Sequence, residues 1–109
     1  MKEFVAVCVT VASDDEGARI ARALVEERLA ACVNQLPGVR SIYRWQGRVE
    51  EAREELVIIK TRRDLLPAIA KRVRELHSYD LPEFIALPIL DGSAEYLEWL
   101  NDQVVSGGE

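Results

Sequence analysis

The chain has 109 residues, 49% of them hydrophobic and 30% charged, with a formal net charge of −5. That length supports one core of modest size, and the composition is globular rather than disordered. The negative charge excludes a general nucleic-acid binder, which needs a positive field, and no apolar stretch reaches the length of a helical membrane span.

The opening Met1-Lys2-Glu3-Phe4-Val5-Ala6-Val7-Cys8 has too short an apolar run for a secretory signal, and Asp14-Asp15-Glu16 follows it. A cytoplasmic setting is therefore expected. Phe4 to Val11 is continuously apolar and rich in β-branched residues, which predicts a strand buried on both faces. Ser13-Asp14-Asp15 offers N-caps for a helix whose apolar stripe is Ile20, Leu24, Val25 and Leu29. Ala31 to Leu36 predicts a second strand, which Pro37-Gly38 bends or bulges. Beyond it, Val39, Ser41, Tyr43 and Trp45 alternate with Arg40, Ile42, Arg44 and Gln46, the period of an extended chain. Gly47 marks a hairpin turn, an acidic return arm runs from Val49 to Glu55, and Leu56 to Thr61 is a further apolar strand.

Asp64 is placed to cap the next helix, with Pro67 in its first turn, where a missing N–H costs little. Leu65, Ile69, Val73 and Leu76 form its stripe and His77 closes it. Phe84 to Leu90 predicts the last strand, with Pro88 confining that part of it to an edge or a bulge. Asp91-Gly92-Ser93 caps a final helix carrying Leu97, Leu100 and Val104 on one face, and residues 106–109 read as a frayed tail. Cys8 and Cys32 sit in apolar runs at no zinc spacing, so they read as buried, unbridged thiols in a reducing compartment.

The order is βαββαβ plus one helix, in a single domain over residues 1–105. Two βαβ halves of this kind give an antiparallel sheet with helices on one face, the ferredoxin-like arrangement of the α+β class. The arms around Gly47, residues 39–56, are too long for two helices to cover. Each spans roughly 30 Å at about 3.3 Å per residue, and a lone hairpin of that length is marginal in water. It carries Ile42, Tyr43 and Trp45, so a second copy of the chain is the simplest cover.

The lone imidazole, His77, stands in the string His77-Ser78-Tyr79-Asp80-Leu81-Pro82-Glu83, where a helix gives way to a strand. Any imidazole-bound transition metal must use it, and Glu83 is the nearby carboxylate that would assist. The acidic pairs Asp14/Asp15, Glu26/Glu27, Glu50/Glu51 and Glu54/Glu55 read mostly as solvated faces. Lys60 ends an apolar run. It either snorkels to solvent or faces a cleft and fixes an anion, with Tyr79 and Trp45 lining that cleft. No phosphate-cradling loop follows the first strand, which disfavours an acylphosphatase-type enzyme on the same fold.

These residues match a known family. Ala23-Leu24-Val25-Glu26-Glu27-Arg28-Leu29-Ala30-Ala31-Cys32-Val33-Asn34 before Pro37-Gly38 resembles the CutA family of divalent-cation tolerance proteins, as do Ser41-Ile42-Tyr43-Arg44-Trp45-Gln46-Gly47 and Tyr96-Leu97-Glu98-Trp99-Leu100. The string from His77 to Glu83 is similar to the family's His-Pro-Tyr-x-x-Pro-Glu motif, with Ser78 in place of the first Pro. The resemblance covers residues 4–101. It implies a ferredoxin-like subunit in a homotrimer, here through the 39–56 hairpin, with a role in tolerance to copper and other divalent metals and no established reaction. It implies Cu²⁺ or another divalent cation as a ligand, none of them obligatory. A bacterial version of the metal site uses a Cys in the first strand and two adjacent His. Of these only His77 matches, with Leu76 and Thr10 at the other positions. The trimer also resembles PII signalling proteins, so the alternative reading is a regulator sensing a small anionic ligand in intersubunit clefts through Trp45, Lys60 and Tyr79, with a signalling partner unspecified.

Overall fold

A computed structural model describes residues 2–106. The expected tail at 106–109 lies, apart from Ser106, outside them. The elements run β1 (Phe4–Val11), α1 (Asp14–Glu26), β2 (Cys32–Trp45), β3 (Arg48–Arg62), a 3-10 turn (Arg63–Leu65), α2 (Leu66–Leu76), β4 (Ile85–Pro88) and α3 (Ala94–Gln103). The four strands form one antiparallel sheet in the order β2-β3-β1-β4. This is the expected ferredoxin-like α+β arrangement with a closing helix.

The helices supply one wall of the core. Ile20 and Leu24 of α1, Ile69 and Val73 of α2 and Leu100 of α3 are fully buried against Val7, Val9, Val11, Val57 and Ile59 of the sheet. Burial in β1 alternates strictly: Val5, Val7, Val9 and Val11 are buried, while Phe4, Ala6, Cys8 and Thr10 are half-buried. The expectation of a strand buried on both faces is thus corrected for the single chain, because all three helices lie on one side. The opposite face presents Ala6, Cys8 and Thr10 beside Leu56, Ile58 and Lys60, their register partners in β3. Ile85 and Leu87 of β4, paired with Cys8 and Ala6, extend it and are 52% and 50% exposed. Cys8 and Cys32 are free thiols on this face, half-buried rather than buried.

The hairpin forms as the alternation predicts, with the chain reversing at Gln46-Gly47, where both residues take positive φ (50° and 80°), as a type I′ turn requires. The bulge falls between Leu36 and Val39, with Gly38 at φ 75°. Arg40 and Glu51 pair across the arms at 2.8 Å. Tyr43 and Trp45 remain 45% and 48% exposed.

Smaller differences have local causes. The α1 stripe is Ile20 and Leu24; Val25 is 41% exposed, and Leu29 lies beyond the helix end. Arg28 takes φ 61° there, and its guanidinium donates to the carbonyls of Asp102 and Gln103 at the end of α3. Leu65, not Asp64, is the N-cap of α2, and Asp64 instead receives the buried guanidinium of Arg62. Arg62 also donates to Asn101 Oδ1 at 2.8 Å and to the Val105 carbonyl at 2.7 Å, anchoring α3 to the end of β3. The last strand is shorter than predicted, four residues at the sheet edge with Pro88 at its end.

Candidate functional site

The connector from α2 to β4 crosses the end of β1 and the middle of β3, where His77 meets Thr10 and Tyr79 meets Glu54. Its course is fixed by two side chains. Ser13 caps α1 by accepting the Glu16 N–H at 3.2 Å, and Glu16, three residues on, turns its carboxylate inward. Glu16 is 4% exposed and accepts the Ala12 N–H at 3.0 Å and the Ser78 N–H at 2.6 Å. Burial alone would raise this carboxyl. The N–H donors and the Ser78 side chain, with the nearby imidazole, instead hold it below the usual carboxylate range.

His77 is the second anchor. Its backbone N–H caps α2 by donating to Val73 O at 2.8 Å, and its ring is fully buried. Nδ1 accepts the Tyr79 N–H at 3.0 Å, so Nδ1 carries no proton. Nε2 lies 2.8 Å from the Thr10 carbonyl, an acceptor, and must therefore be the protonated nitrogen. In this tautomer both nitrogens are committed and no lone pair is left for a metal. As it stands, the His77 ring joins β1 to the connector. The family's imidazole-based metal site therefore does not fit the residues as they stand. Among the described residues, no group of three or more His, Cys, Asp or Glu side chains converges as a metal would require.

The anchors set Tyr79 over the sheet. Its ring packs on His77 with centroids 4.7 Å apart, and its hydroxyl donates to Glu54 Oε2 at 2.7 Å. Burial, then the bond to Glu54, push the phenol well above its ordinary range. Glu54 is 8% exposed, which corrects its reading as a solvated hairpin charge. The signal was available in the alternation, since Glu54 shares a face with Leu56 and Ile58.

Between the connector and the hairpin lies a cleft of about 600 Å³ lined by Thr10, Ser41, Ile42, Tyr43, Trp45, Glu54, Tyr79, Asp80, Leu81 and Glu83. Trp45, Tyr79 and Glu83, which sequence reasoning singled out, meet here. Lys60 does not. It pairs with Ala6 and Cys32, six residues along β3 from Glu54, a distance of roughly 20 Å at about 3.3 Å per residue. Within one chain, the structure brings Trp45 and Tyr79 of the predicted set together and leaves Lys60 outside this cleft. The cleft's charge is negative: Glu83 is pushed up by partial burial and by the Glu54 carboxylate, and Cys8 by burial and by Glu83. Glu54, Thr10, Tyr43 and Asp80 are among the lining groups that sequence reasoning did not select.

An antiparallel sheet with all its helices on one face and a cleft under a long hairpin on the other defines a ferredoxin-like α+β domain. The chain belongs to the CutA1 divalent ion tolerance protein family, whose sequence pattern matches residues 5–103. It is similar to the divalent-cation tolerance protein CutA of Thermus thermophilus, 53% identical over 96 residues that cover 88% of this chain and 93% of that protein. It is 50% identical over 98 residues to the chloroplastic protein CutA of Arabidopsis thaliana, covering 90% of this chain but only 54% of the plant protein. The chain thus spans about half the length of that relative. The crystal structure of CutA1 from Oryza sativa superimposes with a TM-score of 0.94 at 47% identity, over 96% of each chain. No described helix is long and apolar enough to cross a membrane.

Proposed function

We propose that the protein is a non-enzymatic homotrimer serving divalent-cation tolerance, assembled through the 39–56 hairpin, with Cu²⁺ bound only weakly and indirectly. Family membership supports the tolerance role. The observation that carries the weak-copper part is the imidazole of His77, both of whose nitrogens are engaged within the fold. Copper then meets carboxylates such as Glu83, with water or a neighbouring subunit completing its coordination.

Titration calorimetry with Cu²⁺ at neutral pH tests the reading. Wild type and His77→Asn should bind equally weakly, and Glu83→Gln more weakly still. Tight, stoichiometric binding that disappears in a folded His77→Asn variant would restore the imidazole as a ligand and sink the reading.

A second reading, a regulator that senses a small molecule at the subunit border, is favoured by one observation. Trp45 of the hairpin and Tyr79 of the connector line the same cleft, although they are 34 positions apart in sequence.

A further inference from the structure

The loop between β4 and α3 carries a pair that occurs once in the chain. Aspartates stand at positions 14, 15, 64, 80, 91 and 102, and only Asp91 precedes a glycine. Neither Asn34 nor Asn101 precedes one. An aspartyl side chain followed by glycine is the pair most open to attack by its own backbone, because no Cβ screens the next nitrogen. The fold decides where that nitrogen is held.

The Gly92 N–H donates to Asp91 Oδ1 at 2.8 Å. Loss of that proton leaves an electron pair along the same direction, so the pair is aimed at the carboxyl group. A small rotation about Cα–Cβ of Asp91 brings Cγ onto the line. Residues 90–96 are exposed without a break, so water reaches both partners. The loop has by then crossed to the helix side of the sheet, where Ser93 caps α3 by accepting the Tyr96 N–H at 3.0 Å. It therefore lies apart from the open face and the hairpin that the proposed trimer covers. The nearest atoms to a Cβ placed on Gly92 belong to Leu97 of α3, at 3.4 Å, and Gly92 does not take a positive φ.

We propose that Asp91 is a site of spontaneous backbone isomerisation. Gly92 N gives its proton to solvent and bonds to Asp91 Cγ. The Cγ–OH bond of the carboxyl breaks, and the hydroxyl takes a proton from solvent and leaves as water. The product is a five-membered succinimide, which a second water opens. Attack at Cγ restores aspartate. Attack at the former backbone carbonyl carbon leaves the chain running through Cβ and Cγ, an isoaspartate with a free α-carboxylate. One water is lost and one gained, so the mass is unchanged. The extra backbone atom enters just before the Ser93 cap, while the far end of α3 stays held by Arg28 and Arg62. The change loosens the first turn of α3 and leaves the core in place.

The test ages the full chain, in its native assembly, for several weeks in warm neutral buffer. Cleavage after glutamate releases residues 84–95, whose one aspartate is Asp91. Chromatography and electron-transfer fragmentation resolve the isoaspartyl form, and an isoaspartyl methyltransferase with labelled S-adenosylmethionine counts it. Isoaspartate at 91 should exceed that at each other aspartate at least about tenfold. Gly92→Ala, whose methyl makes only ordinary contact with Leu97, should slow it about tenfold with circular dichroism unchanged. Asp91→Glu should abolish it, since the longer side chain would have to close a six-membered ring. The folded chain should react within about tenfold of the same chain unfolded in guanidinium chloride. A folded chain slower than that would show that the fold protects the pair, and the proposal would fall. It also falls if Asp91 isomerises no faster than the other aspartates, or if Gly92→Ala ages at the wild-type rate.

Discussion

Glu16 governs more of the molecule than its place in a surface helix implies. Its two backbone partners belong to segments far apart in sequence, Ala12 before α1 and Ser78 after α2, so one carboxylate fixes the connector that carries Tyr79. Its pKa is lowered on folding. The stability it contributes is therefore present above its unfolded value, about 4.3, and is lost as pH falls through the folded value. Glu16→Gln should lose about 2–3 kcal/mol at neutral pH, the scale of a charge-assisted bond to a buried donor. The gap between wild type and variant should narrow as pH falls below the unfolded carboxylate value and through the lower folded one, as read by urea midpoints across pH. A gap that is constant with pH would mean the carboxylate acts by shape alone. The Ser13-x-x-Glu16 spacing made this residue legible as half of a capping box. What local sequence could not reveal was the second donor, Ser78, since that contact spans 62 positions. His77 was legible for the opposite reason: it is the lone imidazole. Residue type suggested a ligand, but the tautomer is decided by the Thr10 carbonyl, which only the fold brings near.

At the scale of elements, period-two alternation placed β2 correctly. Val39, Ser41, Tyr43 and Trp45 do share a face, and that face carries Glu54. The same alternation, extended through β3, separates Lys60 from Glu54 by several register steps, which is why the lysine lies outside the cleft of its own chain. The last strand was overread because Phe84 to Leu90 is apolar throughout, whereas pairing with β1 ends within Ile85–Pro88. The turn joining β2 to β3 offers a direct test of hairpin energetics. Gln46 holds φ 50° with a side chain that does not favour the left-handed region, a cost of roughly 1–2 kcal/mol that Asn largely avoids. Gln46→Asn should raise stability by about 0.5–1 kcal/mol. An unchanged urea midpoint would show that the turn is already relaxed or that the hairpin unfolds apart from the core.

The whole molecule is elongated and leaves one sheet face without helices, the form expected of one copy in the proposed trimer. Its principal extents are 44 × 26 × 23 Å, and its radius of gyration is 14.5 Å, against about 13 Å for a compact chain of this length. The excess is the hairpin, with arms of 14 and 15 residues in a sheet whose edge strand β4 has four. Ile58, Leu56 and Cys8 on the open face are half-buried, and Ile85 and Leu87 beside them are half-exposed. Apolar residues of this kind on an uncovered sheet face mark an association surface. The runs Phe4–Val11 and Leu56–Thr61 look doubly buried in the sequence, and in the proposed trimer a neighbour would take the place of a second helical layer. The proposed trimer should sediment at three times the 12.3 kDa chain mass. Ile58→Asp, at the centre of the face, should shift the equilibrium to single chains. Leu87→Asp, at the half-exposed edge, should weaken assembly with little effect on the subunit core. Circular dichroism on both variants separates loss of assembly from loss of fold. A wild-type chain that sediments at 12.3 kDa at micromolar concentration, or an Ile58→Asp variant that still assembles, would remove the open face and its hairpin as the source of association.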